Sequence, residues 1–262
     1  MTFFLFNHKK ILICFSVFFC YVSMSLFSQQ AKYAVANAHA HNDYEHPIPF
    51  YTAYNAGFGS IEADVFPVNG VLLVAHSKKD LQPQRTLKEL YLMPLLKALS
   101  ADNRVLNLLV DIKENYKVAL PLLIKELEPL KQYISTPHQT NALTVLISGD
   151  RPPPAEYKNY PDFIFFDNDL KLPHSPDEWN RVGLVSLPFN KITEWKGHDH
   201  IKRKDKKHLR HIIDSVHSAG KPIRFWAAPD TIKSWKLQMK LHADLIGTDK
   251  IDELENFFKK NK

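Results

Sequence analysis

The chain has 262 residues, of which 45% are hydrophobic and 24% charged, with eight glycines and two cysteines. That composition excludes a disordered, collagenous or linker-like chain, and two cysteines exclude a disulfide scaffold or a four-thiolate zinc site. The formal charge of +6 favours anionic ligands, but it is too small to mark a nucleic-acid binder, and no nucleic-acid partner is expected.

Residues 1–10 carry Lys9 and Lys10 and no acid, and Ile11 to Phe27 is a 17-residue run without a charge. A basic start, a short apolar run and small residues near its end predict a signal peptide over residues 1–28 and export of the remainder, periplasmic or secreted. A membrane span wants about 20 apolar residues, and this run is shorter and broken by Ser16, Ser23 and Ser25. Cys14 and Cys20 both lie in the leader, so the mature chain, read as one domain over 31–262, has neither a disulfide nor a thiol nucleophile.

Beyond the leader, short β-branched and aromatic runs alternate with helical patterns, the signature of βα units around a parallel sheet. Strands are predicted at Tyr33–Ala38, Ser60–Val65, Val105–Ile112, Leu143–Ser148, Asp162–Phe166, Gly183–Leu187, Pro222–Trp226 and Ala243–Gly247. Val71–Ala75 is a further strand, joined to the second through Asn69-Gly70, a dipeptide that favours a type I′ hairpin turn. Thr86-x-x-Glu89 is a capping box opening a helix over Leu87–Leu99. Leu209, Ile212, Ile213 and Val216 recur at helical spacing ahead of Gly220, and Ile251–Phe258 is a closing amphipathic helix. Eight strands with interposed helices predict an α/β fold, a (β/α)8 TIM barrel with a small hairpin after strand 2; an open doubly wound sheet is the runner-up.

In such a barrel chemistry gathers at the C-terminal ends of the strands. The polar residues there include His39, His41 and Asn42 after strand 1, Glu62 and Asp64 in strand 2, His76 after the hairpin, Asp111 and Lys113 ending strand 3, and Thr248 and Asp249 after strand 8. Glu62 and Asp64, two apart in a strand, share a face, and Asp111 adds a third carboxylate from the next strand. Adjacent carboxylates repel unless neutralised, and three of them suit a hard divalent cation, Mg²⁺ or Ca²⁺. His41 and His76 are the candidate proton carriers, because imidazoles titrate near neutrality. Lys113 can hold a phosphate oxygen as a point charge, or pair with Asp111 or Glu62. The other histidines, among them His198, His200, His211 and His217, read as solvent-facing or structural.

The segments His41-Asn42-Asp43, Gly57-Phe58-Gly59-Ser60-Ile61-Glu62-Ala63-Asp64-Val65, Val74-Ala75-His76 and Leu109-Val110-Asp111-Ile112-Lys113 together resemble the glycerophosphodiester phosphodiesterase-like, or phospholipase C-like, superfamily. Lys221–Trp226 and Ala243–Asp249 look like its last two strands. Asp111 in place of Glu and the 21-residue interval from His41 to Glu62 look more like the sphingomyelinase D-type branch, and the His41-Asn42-Asp43-Tyr44 start, with Asn-Asp in place of Arg-Gly, looks like a little-described branch of phospholipase C-like phosphodiesterases. The resemblance implies a TIM-barrel phosphodiesterase acting on a glycerophosphodiester or phospholipid headgroup. It puts one divalent cation on Glu62, Asp64 and Asp111, makes His41 and His76 the acid and base, and brings Lys113, Asn42 and Trp226 to the substrate.

The basic stretch His198–Arg210, whose first part falls after strand 6 on the same face, reads as a solvated helix start or as a surface that steers an anionic lipid headgroup inward. Peripheral contact with an anionic membrane and a monomeric state are the expected associations. Two other classes fit parts of the sequence. His39, His41 and Asp249 would open and close the metal site of an amidohydrolase-like barrel, and a barrel without turnover would bind lipid headgroups or glycans.

Overall fold

The computed structural model describes residues 33–260, so the expected leader and both cysteines lie outside the described residues. Residues 33–262 form one compact unit. Eight parallel strands are built from β1 (Ala38–Ala40), β2 (Ser60–Val68), β4 (Leu106–Ile112), β5 (Leu143–Gly149), β6 (Ile164–Asn168), β7 (Val182–Pro188), β8 (Ile223–Trp226) and β9 (Ile246–Thr248). Their order is β8-β7-β6-β5-β4-β2-β1-β9, and the short hairpin strand β3 (Val71–Val74) pairs antiparallel with β2. The ring closes where Asp244 N–H donates to Ile223 O at 2.9 Å and Arg224 bridges Leu245. This is the (β/α)8 TIM barrel expected from the alternation of the sequence.

The helices are α1 (Tyr51–Ala56), α2 (Met93–Ala101), α3 (Tyr116–Glu126), α4 (Pro176–Asn180), α5 (Phe189–Ile192), α6 (Arg203–Ser218), α7 (Ile232–Leu241) and α8 (Ile251–Lys260). The larger hydrophobic core lies between them and the outer face of the strands. Asn69 and Gly70 both take positive φ, as a type I′ hairpin turn demands. Thr86 Oγ1 accepts the Glu89 N–H at 3.1 Å, and the helix it opens runs as a π-helical turn, Lys88–Leu92, before settling into α2. Gly220 caps α6 with φ +70°.

The first strand differs from expectation. Residues 35–37 form a 3₁₀ turn and β1 begins only at Ala38. Asn37 supplies the reason: its Oδ1 accepts the Ala34 N–H, a local bond that a strand would forgo, and its Nδ2 donates to Asp244 O, distant in the chain. His39 is therefore inside the barrel wall rather than beyond it.

The barrel interior is layered. A small inner cluster of Leu109, Leu146, Phe165, Leu184 and Leu245 fills its floor. Strand side chains alternate, so the residue two positions on along each strand points into the barrel one layer higher. Leu109 is thus followed by Asp111, Leu146 by Ser148, Phe165 by Asp167 and Leu184 by Ser186. The apolar floor excludes water from below, and the polar layer above it, open at the C-terminal end, is where the candidate site is built.

Candidate active site

The parallel register sets Asp64 level with Asp111 on neighbouring strands, and Asp111 level with Ser148. One carboxylate oxygen each from Glu62, Asp64 and Asp111 lies within 4.8 Å of the others. Burial raises the Asp64 and Asp111 carboxyls above their ordinary values even though Lys113 stands beside both, its Nζ 2.6 Å from Asp64 Oδ2 and 3.6 Å from Asp111 Oδ1. Burial works against the Lys113 charge too, but Asp111 and Asp64 outweigh it and raise the ammonium. The hard oxygen donors of this cluster fit one divalent cation.

Gly149 lets this cluster form. It adopts φ +70°, and a Cβ there would run into Asp111 Oδ1 and the Ile112 carbonyl. Only glycine meets both demands. Glu62 lies deeper. Burial disfavours its charge, but Arg224 at 2.8 Å and His39 Nε2 at 2.7 Å hold it well below the usual carboxylate range. His39 is fully buried, with Ser60 O–H donating to its Nδ1 at 2.8 Å. Burial, and then Arg224, lower its pKa to about 4 against the pull of Glu62, so it stays neutral and serves to fix Glu62.

The two candidate proton carriers flank the acids from separate loops. His41 Nδ1–H donates to Asp249 Oδ1 at 2.7 Å. Burial works against protonation of His41, but that hydrogen bond and the charge of Glu62 prevail and raise its pKa. His76 Nδ1 lies 3.2 Å from Tyr44 Oη and 3.4 Å from Asp64 Oδ2. Tyr44 Oη is also 2.6 Å from Asp64 Oδ2 and 2.7 Å from Asn42 Oδ1, so one phenol joins an acid, a histidine and the loop after β1. That loop is pinned by Asp43, whose buried Oδ2 accepts the Phe50 N–H at 2.6 Å and the Tyr91 O–H at 2.9 Å.

A cavity of about 390 Å³ opens above the acids. Glu62, Asp111, Lys113, His41 and Trp226 line it together with Asp167, Ser186 and Arg224 from the far wall. Asn42 is turned to Asp249, its Nδ2 donating at 3.3 Å, and so holds the His41–Asp249 pair rather than lining that cavity. The set His39, His41 and Asp249 does not come together as ligands. The ring nitrogens of His39 are committed to Ser60 and Glu62, and among the described residues the acidic trio is the group with metal-ligand proximity. His217 pairs with Asp244, and His198, His200 and His211 are exposed. Residues 198–202 follow β7 on the catalytic side, and α6 begins at Arg203.

The barrel has the fold of solved glycerophosphodiester phosphodiesterases. More particularly, residues 30–108 match the AIM6-like phosphodiesterase domain, a stretch that contains His41, Glu62, Asp64 and His76 and ends just short of Asp111. The chain is 26% identical to the altered inheritance of mitochondria protein 6 homolog of Arthroderma benhamiae, over 84% of this chain and 83% of that one. It is 24% identical to altered inheritance of mitochondria protein 6 of Eremothecium gossypii, over 85% of this chain and 69% of the other. A solved glycerophosphodiester phosphodiesterase from Parabacteroides distasonis superposes with a TM-score of 0.55 at 14% identity, covering 87% of this chain and 96% of that one, and shares the fold.

Proposed function

We propose that the chain is a phosphoric diester hydrolase, with Glu62, Asp64 and Asp111 holding one Mg²⁺ or Ca²⁺ and with His41 and His76 moving the protons. The observation that carries the reading is the convergence of buried Glu62 and Asp64 with half-buried Asp111, with His76 against Asp64 and His41 lining the same cavity as Glu62 and Asp111. When bound, the cation supplies Lewis-acid polarisation of the phosphoryl group and offsets charge in the transition state. Lys113 adds a fixed positive charge beside the phosphate.

The hydrogen bonds favour different tasks for the two imidazoles. The Asp249 carboxylate favours the protonated form of His41, which suits it to deliver its Nε2 proton to the leaving oxygen. His76 has its Nδ1 facing Tyr44 and Asp64, which leaves Nε2 to take the proton from the attacking water or substrate hydroxyl. Trp226, 45% exposed, forms an apolar wall for the substrate.

The proposed substrate is a glycerophosphodiester or a phospholipid headgroup. Exposed Leu170 and Leu172, in the loop after β6, stand with Trp226 and Lys171 at the open end of the barrel and support peripheral contact with an anionic lipid surface. Export rests on the Lys9–Lys10 start and the apolar run that follows; a monomer completes the proposal. The test is turnover of bis(p-nitrophenyl) phosphate, glycerophosphodiesters and sphingomyelin with and without chelator. Activity lost in EDTA and restored by Mg²⁺ or Ca²⁺ is the expected result. Full turnover in chelator would remove the cation from the reading.

A further inference from the structure

Arg224 is a buried charge for which the acid–base scheme has no use. It sits inside the barrel with its side chain 5% exposed. Nε donates to Ser186 Oγ at 2.8 Å, and Nη1 donates to Glu62 Oε2 at 2.8 Å and lies against His39 Nε2. These contacts, from β1, β2 and β7, fix the plane of the guanidinium. Nη2 makes none of these bonds, and it is not among the side-chain nitrogens sealed from solvent without a partner. Its two N–H groups are the donors left over for the cavity that Arg224 lines beside His41, Glu62, Asp111 and Trp226.

A guanidinium carries five donors in a rigid fork and never deprotonates in proteins. One whose inner edge is committed and whose outer edge faces a cavity is already oriented, so an oxyanion arriving there meets donors that need no rearrangement. Neutralising Glu62 does not require that second edge, because Nη1 alone reaches the carboxylate. Ser186, paired with Arg224 across β7 and β8, holds the inner edge by accepting from Nε.

We propose that Arg224 is a catalytic residue whose Nη2 donates to a non-bridging oxygen of the phosphodiester as charge develops on it. The proposal rests on the phosphodiesterase reading and adds a phosphate-binding group on the wall of the cavity formed by β7 and β8. It predicts that inorganic phosphate binds the cation-loaded protein through the same edge.

The test uses the full chain loaded with Mg²⁺ or Ca²⁺. Three quantities are read: inorganic phosphate affinity by calorimetry, kcat/KM on bis(p-nitrophenyl) phosphate, and cation affinity measured directly. Arg224→Lys keeps a cation beside Glu62 but removes the fork. It should weaken phosphate about tenfold or more and lower kcat/KM by about 10²–10³, the scale for losing one oxyanion donor, with cation affinity unchanged. Ser186→Ala leaves the arginine and removes its support, and should weaken phosphate severalfold at an unchanged melting temperature. The Ser186 variant decides the matter if Arg224→Lys does not fold. Wild-type turnover together with unchanged phosphate affinity and kcat/KM in the folded variants would overturn the assignment and confine Arg224 to charge balance. A wild-type protein that cleaves no phosphodiester with either cation would instead bring down the phosphodiesterase reading, and this proposal with it.

Discussion

Asp167 allows the polar layer of the barrel to be tested quantitatively. It is 5% exposed, and burial raises its carboxyl from 3.8 to about 6, with Arg224 and Ser186 working against the rise. Two pH units correspond to about 3 kcal/mol of extra cost for ionising this group in the folded protein. A carboxyl with a raised folded pKa binds more protons folded than unfolded between about pH 4 and pH 6. Stability is therefore unaffected by Asp167 below that window, falls as pH rises through it, and carries the whole penalty above it. Asp167→Asn copies the protonated form and keeps an acceptor for the Asn168 N–H, which now reaches Asp167 Oδ1 at 2.9 Å. The attraction to Arg224 is already contained in the value of about 6, so it is not subtracted again. The variant should match the wild type near pH 4 and exceed it by up to about 3 kcal/mol at pH 8. Urea unfolding of both proteins in EDTA at unit steps of pH gives the difference curve directly. A flat difference, or an Asn variant that loses ground as pH rises, would refute the argument that burial dominates at Asp167.

Three further outcomes follow from the site. His41→Ala and His76→Ala should each lower kcat by at least ~10², the usual scale of general acid–base catalysis, and a variant at near-normal rate removes that histidine from the chemistry. Asp249→Asn withdraws the carboxylate that raises His41, so the alkaline fall of the pH–rate profile should move to lower pH; an unmoved limb would mean that His41 is not the acid. Gly149→Ala places a Cβ against Asp111 Oδ1 at φ +70°, and should cost about 1–3 kcal/mol of stability together with a clear loss of cation affinity by calorimetry. Unchanged cation affinity would show that Asp111 can move without harm.

The sequence was most informative where periodicity and chemistry coincide. Period-two spacing alone put Glu62 and Asp64 on one face, and the parallel register then brought Asp111 level with Asp64. The hairpin was written in Asn69-Gly70, whose φ signs leave few alternatives. What escaped notice depends on contacts between residues far apart in the chain. Tyr44, in the loop after β1, joins Asp64, Asn42 and His76. Arg224, in β8, meets Glu62, 162 positions earlier. Strand 1 begins later than its composition suggests because Asn37 bonds the nearby Ala34 N–H and the distant Asp244 carbonyl, choices that strand propensity does not reveal.

One signal was present and unused. In β4, β5, β6 and β7 a large apolar residue is followed two positions later by Asp, Ser, Asp and Ser, at Leu109–Asp111, Leu146–Ser148, Phe165–Asp167 and Leu184–Ser186. A strand buried on both faces has no reason to carry a polar residue unless something meets it. Four such residues, each two positions beyond a floor residue, describe a polar layer rather than four accidents. The same logic explains why Arg224 is tolerated at the barrel axis. It meets Glu62, and Asp167 and Asp111 also favour its charge, so three acids offset its desolvation, whereas the leucines and Phe165 of the floor would not. The height of a residue in the barrel thus decides whether a charge is a defect or part of the site.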